Sequence, residues 1–352
     1  MTAPSEPSTG TTTWIEVPEA PPIPGLRFRR RREGDADPAA AARLLCAAAE
    51  TDRIPWRPTT AEIREDWDQP TVLDPIDDLL LAEIDGQLVG YGLVERVVRD
   101  GVTVFSVDGA VDPAVRRRGI GRALFAHDLR RAEARAVAEP PDAEIAFGGW
   151  VQQTEAGAIA LLEAAGFTAV RWFQVMRRDL TRPIPEAPLP PGLEIRPVVS
   201  EDHRTIFDAE VEAFRDHWGA HDPTPEAFER TYGREEFDGS LWIVAWDGAE
   251  VAGVVQNWIW PKENADMGVR RGWLEHISVR RPWRRRGLAR AITAASLRRL
   301  RDVGMDEAML GVDADNPNGA LGLYQGLGFE ESSRGIAYRR PRPRKPLEAD
   351  SA

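Results

Sequence analysis

The chain has 352 residues, of which 42% are hydrophobic and 29% charged, so it is long enough for two globular domains with apolar cores. Its net charge of -12 argues against nucleic acid as the main partner, because non-specific nucleic-acid binding depends on positive charge. No apolar run is long enough to span a membrane, no secretion signal is recognisable, and one cysteine allows no intrachain disulfide, so we expect a cytoplasmic protein.

Composition divides the chain into two large segments and three short ones. Residues 1–25 are rich in Pro, Ser and Thr and are predicted to be disordered. The two large segments, 26–180 and 193–339, are joined by residues 181–192, which contain five prolines in twelve positions and predict a stiff, extended linker. Residues 340–352 are charged and broken by prolines, which predicts a tail.

The two large segments repeat one order of predicted elements. Each begins with a short strand and a helix, followed by a hairpin around an Asp-Gly turn, at residues 85–86 and 247–248. A third strand then leads through an Arg/Gly loop into a helix. A fourth strand, a helix that ends at Gly-Phe and a final strand complete the repeat. This order predicts a mixed α/β sheet in each segment.

Both Arg/Gly loops lie where a predicted strand leads into a predicted helix. The first N–H groups of a helix have no intrahelical partner, so this position favours an anion, and a glycine lets a phosphate approach the backbone. No Gly-Lys-Ser/Thr sequence follows, which excludes a Walker-type loop, and the alternative is a solvated arginine run. The predicted anion-binding residues are Arg284, Arg285, Arg286, Gly287, Leu288, Ala289 and Arg290 in the second copy, and Arg116, Arg118, Gly119 and Gly121 in the first.

The pattern R-x-x-G-x-G/A after a strand, followed by Asn, Tyr and Gly-Phe in "NPNGALGLYQGLGF", resembles the GNAT acyltransferase superfamily. The resemblance covers both large segments and implies two tandem GNAT folds. It also implies that the Arg/Gly loop binds the pyrophosphate of acetyl-CoA. The backbone that would hold the acetyl carbonyl and the start of the pantetheine arm is that of Ile277, Ser278 and Val279.

Acetyl transfer from a thioester to an amine needs a base for the ammonium group and an acid for the leaving thiolate. The resemblance implies that Tyr324 is the acid and that Asn316, eight residues earlier, contacts the pantetheine arm. The alternative for Tyr324 is a core aromatic residue with a solvated hydroxyl group.

Glu275 is the candidate base, since some members of the family carry a carboxylate at this point of the strand. Others carry it two residues earlier, where this chain has Trp273, and an ordinary edge-strand glutamate is the alternative. Strict alternation places Glu275 on one strand face with Ile277 and Val279, and it places His276 on the opposite face as a structural residue.

The first segment has lost these side chains. Alignment of the two repeats places Val107 opposite Glu275 and Leu162 opposite Tyr324, while Thr154 replaces Asn316. The first segment is therefore predicted to be non-catalytic. It either still binds acetyl-CoA or has become a scaffold.

The acceptor is predicted to lie under residues 212–233, between the first helix and the hairpin of the second segment. Trp258 and Trp260 line an aromatic pocket there or pack at a domain interface. The sequence predicts an acetyl-CoA-dependent N-acetyltransferase that acts on a primary amine of a small molecule by direct transfer, without a metal, as a monomer or homodimer. The alternatives are a peptide or protein N-acetyltransferase and a non-enzymatic acyl-CoA sensor.

Overall fold

A computed structural model describes residues 12–54, 56–70, 72–99, 101–215, 225–314 and 319–342. They form two compact units. Unit 1 contains the chain up to Val170 together with the residues from Ala337 onward, and unit 2 contains Arg171 to Ile336. Within the described ranges, no helix has the length and hydropathy needed to cross a membrane.

Unit 1 is a mixed sheet with helices packed on it. Its elements are β1 (Trp14–Ile15), β2 (Leu26–Arg29), α1 (Ala36–Asp52), α2 (Thr60–Trp67), β3 (Leu79–Ile84), β4 (Gln87–Arg99), β5 (Val102–Val111), α3 (Ile120–Val137), β6 (Ile145–Gln152) and α4 (Ala156–Ala164). Strands β1 to β6 follow one another across the sheet in chain order; in their described residues β5 and β6 are parallel and the other neighbours are antiparallel. The predicted hairpin joins β3 to β4, where Asp85 and Gly86 have φ values of 49° and 81°, as a tight hairpin turn requires.

A buried ion network holds the beginning of unit 1 together. The guanidinium of Arg29 on β2 donates to both carboxylate oxygens of Asp37 at 2.7 Å and to Glu83 at 2.6 Å. Arg29, Asp37 and Glu83 are all buried, so the stability of each charged side chain here depends on its ion-pair partners.

The N-terminal segment is ordered from residue 12, and the prediction of disorder up to residue 25 is wrong for this part. β1 pairs with β2, and Val17 is buried in a cluster with Ile120 and Leu124 of α3. The guanidinium of Arg130 donates to Glu19 at 2.9 Å. A Pro-rich composition does not exclude order when apolar residues between the prolines find a core.

Unit 2 repeats the plan of unit 1. Its elements are β7 (Thr168–Asp179), β8 (Glu194–Arg196), α5 (His203–Phe214), α6 (Pro225–Tyr232), β9 (Ile243–Asp247), β10 (Glu250–Trp258), α7 (Pro261–Met267), β11 (Arg271–Val279), α8 (Leu288–Asp302), β12 (Glu307–Asp313), α9 (Ala320–Gly326) and the first part of β13 (Glu330–Pro341). The strand order is β7-β12-β11-β10-β9-β8; over the described residues of these strands β11 and β12 are parallel and the other neighbours are antiparallel. One sheet face packs against α8 and the other against α5.

The bounds of the units differ from the predicted segments 26–180 and 193–339. Strand β7 comes from the first repeat but pairs with β12 in unit 2, and the end of β13 lies beside β6 in unit 1. Residues 181–192, which the sequence predicts to be a linker between domains, connect two strands of unit 2, β7 and β8. Ile184 and Leu189 pack against the core of unit 2, so this stretch is a packed loop rather than a spacer between domains.

Candidate functional site

Strand β11, which precedes the second Arg/Gly loop, contains an irregularity in its ladder with β10. Gln256 pairs with His276, and the next residue, Asn257, pairs with Leu274, so the ladder skips Glu275. An extra residue of this kind is a β-bulge, which re-aims the neighbouring side chains and leaves backbone groups unpaired.

The bulge brings Glu275 and His276 to the same face of the sheet, the one covered by α5. The ring of His276 lies 5.1 Å from that of Phe214 on α5, and Glu275 interacts with the side chain of Trp260, which packs against this face. Ile277 packs against α8 on the opposite face. The prediction that Glu275 shares a face with Ile277, opposite His276, is wrong because it assumed strict alternation.

A buried carboxylate holds the ring of His276. Glu210 on α5 is 6% exposed, and its two oxygens contact Nδ1 of His276 and Nε2 of Gln256. Sequence reasoning missed Glu210. The signal was a charged residue on the buried stripe of an amphipathic helix, at helical spacing between Ile206 and Ala213.

Glu275 and His276 are accessible to solvent in one direction but crowded by protein atoms in the others. This partial burial raises the pKa of Glu275, although His276, Arg234 and Trp260 oppose the shift. Burial alone lowers the pKa of His276, but Glu210 and Glu275 outweigh it, and the pKa lies above its ordinary value. Neighbouring titratable groups with perturbed pKa values, in an accessible position, suit proton exchange.

The edge of β11 that faces β12 is open beyond its first residues. The two parallel strands pair only over residues 271–273 and 307–309, after which β12 continues along β7. Among the described residues, no strand pairs with 274–279 on this side. Exposed backbone groups at a strand edge can pair with another extended chain, and the contact of the stretch 277–279 with a pantetheine arm, which the family resemblance implies, stays a prediction.

The second Arg/Gly loop has the backbone geometry of an anion cradle. Gly287, the residue before α8, has a φ of 84°, and Arg285 has a φ of 61°. A Cβ atom at Gly287 would meet no described atom within 4 Å, so the space over the start of α8 is open. The free N–H groups of the first turn therefore remain accessible, and the residues present fit the pyrophosphate of coenzyme A.

Arg284 stabilises this loop through hydrogen bonds to backbone carbonyl groups. Its Nε donates to the carbonyl oxygen of Val279 at 2.9 Å, and its Nη2 donates to that of Ala213 at 3.0 Å. This placement differs from the predicted hydrogen bond to an anion. Arg285 and Arg286 are exposed, and their contact with a bound phosphate stays a prediction.

Tyr324 lies on α9, in the same packed cluster as Leu288 at the start of α8. The residue is 7% exposed, and burial raises the pKa of its hydroxyl group. No hydrogen bond of that hydroxyl to another residue is found in the described part of the chain. Arg178 of β7 fixes the end of the helix, since its Nε donates to the carbonyl oxygen of Leu327 at 2.8 Å.

Three other predicted features complete the description of this site. Arg290 donates to the carbonyl oxygen of Gly326 at 3.2 Å, which ties the first turn of α8 to the end of α9. Asn316 lies outside the described residues, and its contact with the pantetheine arm stays a prediction. In the predicted acceptor cover, residues 216–224 also lie outside them.

Trp258 and Trp260 form an aromatic wall beside Glu275. Their rings are stacked with centroids 5.6 Å apart and an interplanar angle of 8°. The guanidinium of Arg234 lies 5.7 Å from the centroid of Trp260. The wall continues into an aromatic cluster formed by Tyr232, Phe237, Trp242 and Trp258.

The first Arg/Gly loop has the same backbone but different surroundings. Gly119 and Arg117 have φ values of 95° and 64°, and Nε of Arg116 donates to the carbonyl oxygen of Val111 at 3.0 Å, as in the second loop. A Cβ atom at Gly119, however, would lie only 3.1 Å from Cβ of Pro21. The ordered N-terminal segment therefore covers the place where a phosphate would approach.

Unit 1 also lacks the bulge in its described residues. The ladder between β4 and β5 runs without a register shift, so the corresponding strand has no skipped residue. Val107 and Leu162, which occupy the positions of Glu275 and Tyr324, are buried core residues. Thr154 is exposed in a turn before α4.

Known proteins resemble this chain in both halves. The model of the Acetyltransferase (GNAT) family matches residues 42–167 and 203–329. A mycothiol acetyltransferase from Salinispora tropica is 30% identical over 95% of this chain and 98% of its own length. One from Brachybacterium faecium is 34% identical over 72% of this chain and 71% of its own length.

Solved structures give the same result for the fold. A GCN5-related N-acetyltransferase from Sphaerobacter thermophilus has a TM-score of 0.72 and 28% identity, covering 91% of this chain and 98% of that one. A tandem GNAT protein from the clavulanic acid biosynthesis pathway has a TM-score of 0.64 and 19% identity, covering 90% and 99%, and shares the fold.

Proposed function

Because this chain belongs to the GNAT family of acetyltransferases, we propose that it transfers an acetyl group from acetyl-CoA to the primary amine of a small molecule, and that unit 2 carries the reaction. One observation carries this proposal. Unit 2 combines an uncovered Arg/Gly loop, an open strand edge and a bulge that presents Glu275. The relatives named mycothiol acetyltransferase, one of which matches 95% of the chain, support a small-molecule acceptor.

Glu275 would act as the general base. Acetyl-CoA, when bound, supplies an activated acetyl thioester, and an amine can attack it only after the ammonium form has lost a proton. The pKa of Glu275, raised by burial, makes its carboxylate a stronger base than one in water. The backbone N–H groups that the bulge leaves unpaired can polarise a carbonyl oxygen bound against them.

Tyr324 would act as the general acid for the leaving thiolate. Its pKa is raised by burial, so the hydroxyl group stays protonated at neutral pH and can donate. The packing of its ring and the hydrogen bond from Arg178 to the end of α9 hold the hydroxyl in one place. A positioned donor of this kind contributes about 10²- to 10⁴-fold to a rate.

We further propose that the chain binds one coenzyme molecule, in unit 2. The first loop has the backbone of a cradle, but Pro21 lies over Gly119 and would have to move before a phosphate could approach. Unit 1 would then serve as a scaffold, which is the second of the two alternatives for the first segment.

The experiment is a turnover assay that detects free coenzyme A with a thiol reagent, in the presence of acetyl-CoA and a panel of acceptors. The panel contains small primary amines and a peptide with a free N-terminus. Turnover with small amines alone supports the proposal. Preference for the peptide favours a protein acetyltransferase, while tight acetyl-CoA binding with no turnover on any amine favours a sensor and refutes the enzyme.

A further inference from the structure

The side chain of His276 is held on one side and open on the other. Its Nδ1 contacts the carboxylate of Glu210, while 54% of the side chain remains exposed. Glu210 is itself 6% exposed and also accepts a hydrogen bond from Gln256. With Nδ1 engaged, the second ring nitrogen, Nε2, is the one left for a ligand or for water.

A purely structural role of the Glu210–His276 pair does not explain why the side chain of His276 is half exposed. A buried carboxylate needs partners, and a buried imidazole would satisfy Glu210 as well as a half-exposed one. Among the described residues, the other groups that interact with the ring are Phe214 on α5 and Glu275 beside it in the bulge, with Arg234 acting on Glu275. The imidazole therefore contacts a buried carboxylate and interacts electrostatically with the proposed base, its neighbour in the chain.

We propose that Glu275 and His276 form a two-site base, in which His276 takes over the proton that Glu275 receives from the ammonium group. Glu210 acts as a positioning residue that fixes the tautomer and orientation of His276. This inference rests on the proposed function and adds two residues to its proton path.

The proton balance of this path is simple. The ammonium nitrogen loses one proton to an oxygen of Glu275, and the neutral amine keeps the electron pair of the broken N–H bond. The carboxyl group of Glu275 then passes that proton to Nε2 of His276 and returns to its charged form. The imidazolium, stabilised by Glu210, releases the proton to solvent on its exposed side.

The electrostatics give the path a pH signature. The two carboxylates raise the pKa of His276 above its ordinary value, against the lowering by burial. Because only neutral His276 can accept a proton, kcat/KM should rise with pH through this raised pKa. Replacement of Glu210 by a neutral isostere removes one of the two carboxylates, so the same rise should occur at lower pH.

The test begins with wild-type turnover and then compares pH profiles of kcat/KM for Glu210→Gln and His276→Gln. Glu212→Gln is the matched control, because Glu212 lies two residues after Glu210 on α5 and pairs with Arg280 instead of His276. We expect the acidic limb to shift down by about one pH unit in Glu210→Gln and to stay in place in the control. His276→Gln should lower kcat/KM by about 10²-fold.

Chemical rescue separates this role from a structural one. Since the side chain of His276 is half exposed, free imidazole can reach the space that His276→Ala opens, and activity should rise with imidazole concentration. Glu275→Gln should show no rescue. If the wild type turns over but the acidic limb of the kcat/KM profile does not move in Glu210→Gln and imidazole does not rescue His276→Ala, this inference alone is overturned. If the wild type turns over no amine, the proposed function is overturned as well.

Discussion

A methyl group at Gly287 should separate coenzyme binding from folding. Gly287 and Gly119 have φ values of 84° and 95°, so alanine at either position must adopt the left-handed conformation, at a cost of about 1–2 kcal/mol. At Gly287 the new Cβ meets no described atom within 4 Å, so this conformational cost is the whole cost to folding. At Gly119 it lies 3.1 Å from Cβ of Pro21, which adds strain.

The two variants should rank in the opposite order for coenzyme binding, with the larger loss of affinity in Gly287→Ala. The Cβ of Gly287→Ala would occupy the space through which a pyrophosphate reaches the first N–H groups of α8. Charge-assisted hydrogen bonds are worth about 1.5–3 kcal/mol each, so the loss of two corresponds to about 3–6 kcal/mol. Acetyl-CoA affinity should therefore fall by about 10²- to 10⁴-fold. Gly119→Ala should leave the affinity unchanged, because Pro21 already covers that loop.

Calorimetry measures both quantities. Titration with acetyl-CoA should give one site per chain in the wild type and in Gly119→Ala, and greatly weakened binding in Gly287→Ala. Thermal unfolding should show a decrease in Tm of about 2–4 °C per kcal/mol of lost stability, larger for Gly119→Ala. If Gly119→Ala loses the coenzyme and Gly287→Ala keeps it, the two units have been assigned the wrong way round.

Three further predictions concern the proposed acid, the end of its helix and the buried ion network of unit 1. Tyr324→Phe should lower kcat by about 10²-fold with little change in the Kd for acetyl-CoA, as measured by steady-state kinetics and titration. Arg178→Met should lower the free energy of unfolding by about 1–3 kcal/mol in urea titrations, because the carbonyl of Leu327 loses its buried donor. Arg29→Met should lower the free energy of unfolding by about 3–5 kcal/mol, because it leaves the buried carboxylates of Asp37 and Glu83 without their partner. Burial would raise the pKa of Asp37, but Arg29 holds it below its ordinary value, so wild-type stability should fall as pH drops through that pKa, and Arg29→Met should flatten this dependence.

The sequence was sufficient to predict the tandem fold. The repeated order of strands and helices and the two Arg/Gly loops predicted two GNAT folds, which the family model and the solved structures confirm. The strand exchange was not predictable, since the last strands of both repeats follow the same Gly-Phe pattern and either could complete either sheet. The choice depends on tertiary contacts such as that of Arg178 with Leu327.

The details of the site were less predictable than the fold. A motif cannot distinguish an arginine that faces a ligand from one that holds its own loop, and Arg284 does the latter. Composition suggested disorder for the segment around Pro21, although Val17 anchors it in the core of unit 1. The pairing of Glu210 with His276 joins positions 66 residues apart, a separation over which no local pattern extends.

The two repeats differ by one residue in the strand before the Arg/Gly loop, because the ladder of β11 skips a residue and that of β5 does not. Their Arg/Gly loops have nearly the same backbone angles, so the cradle itself does not decide which unit can react. In unit 1 the regular ladder directs Val107 into the core, whereas in unit 2 the skipped residue turns Glu275 to the face of His276. The bulge in unit 2 also interrupts the pairing of β11 with β10, whereas the ladder between β4 and β5 in unit 1 has no such interruption. Restoring a glutamate at position 107 would therefore bury a charge without recreating a base, because the strand beneath it still lacks the bulge.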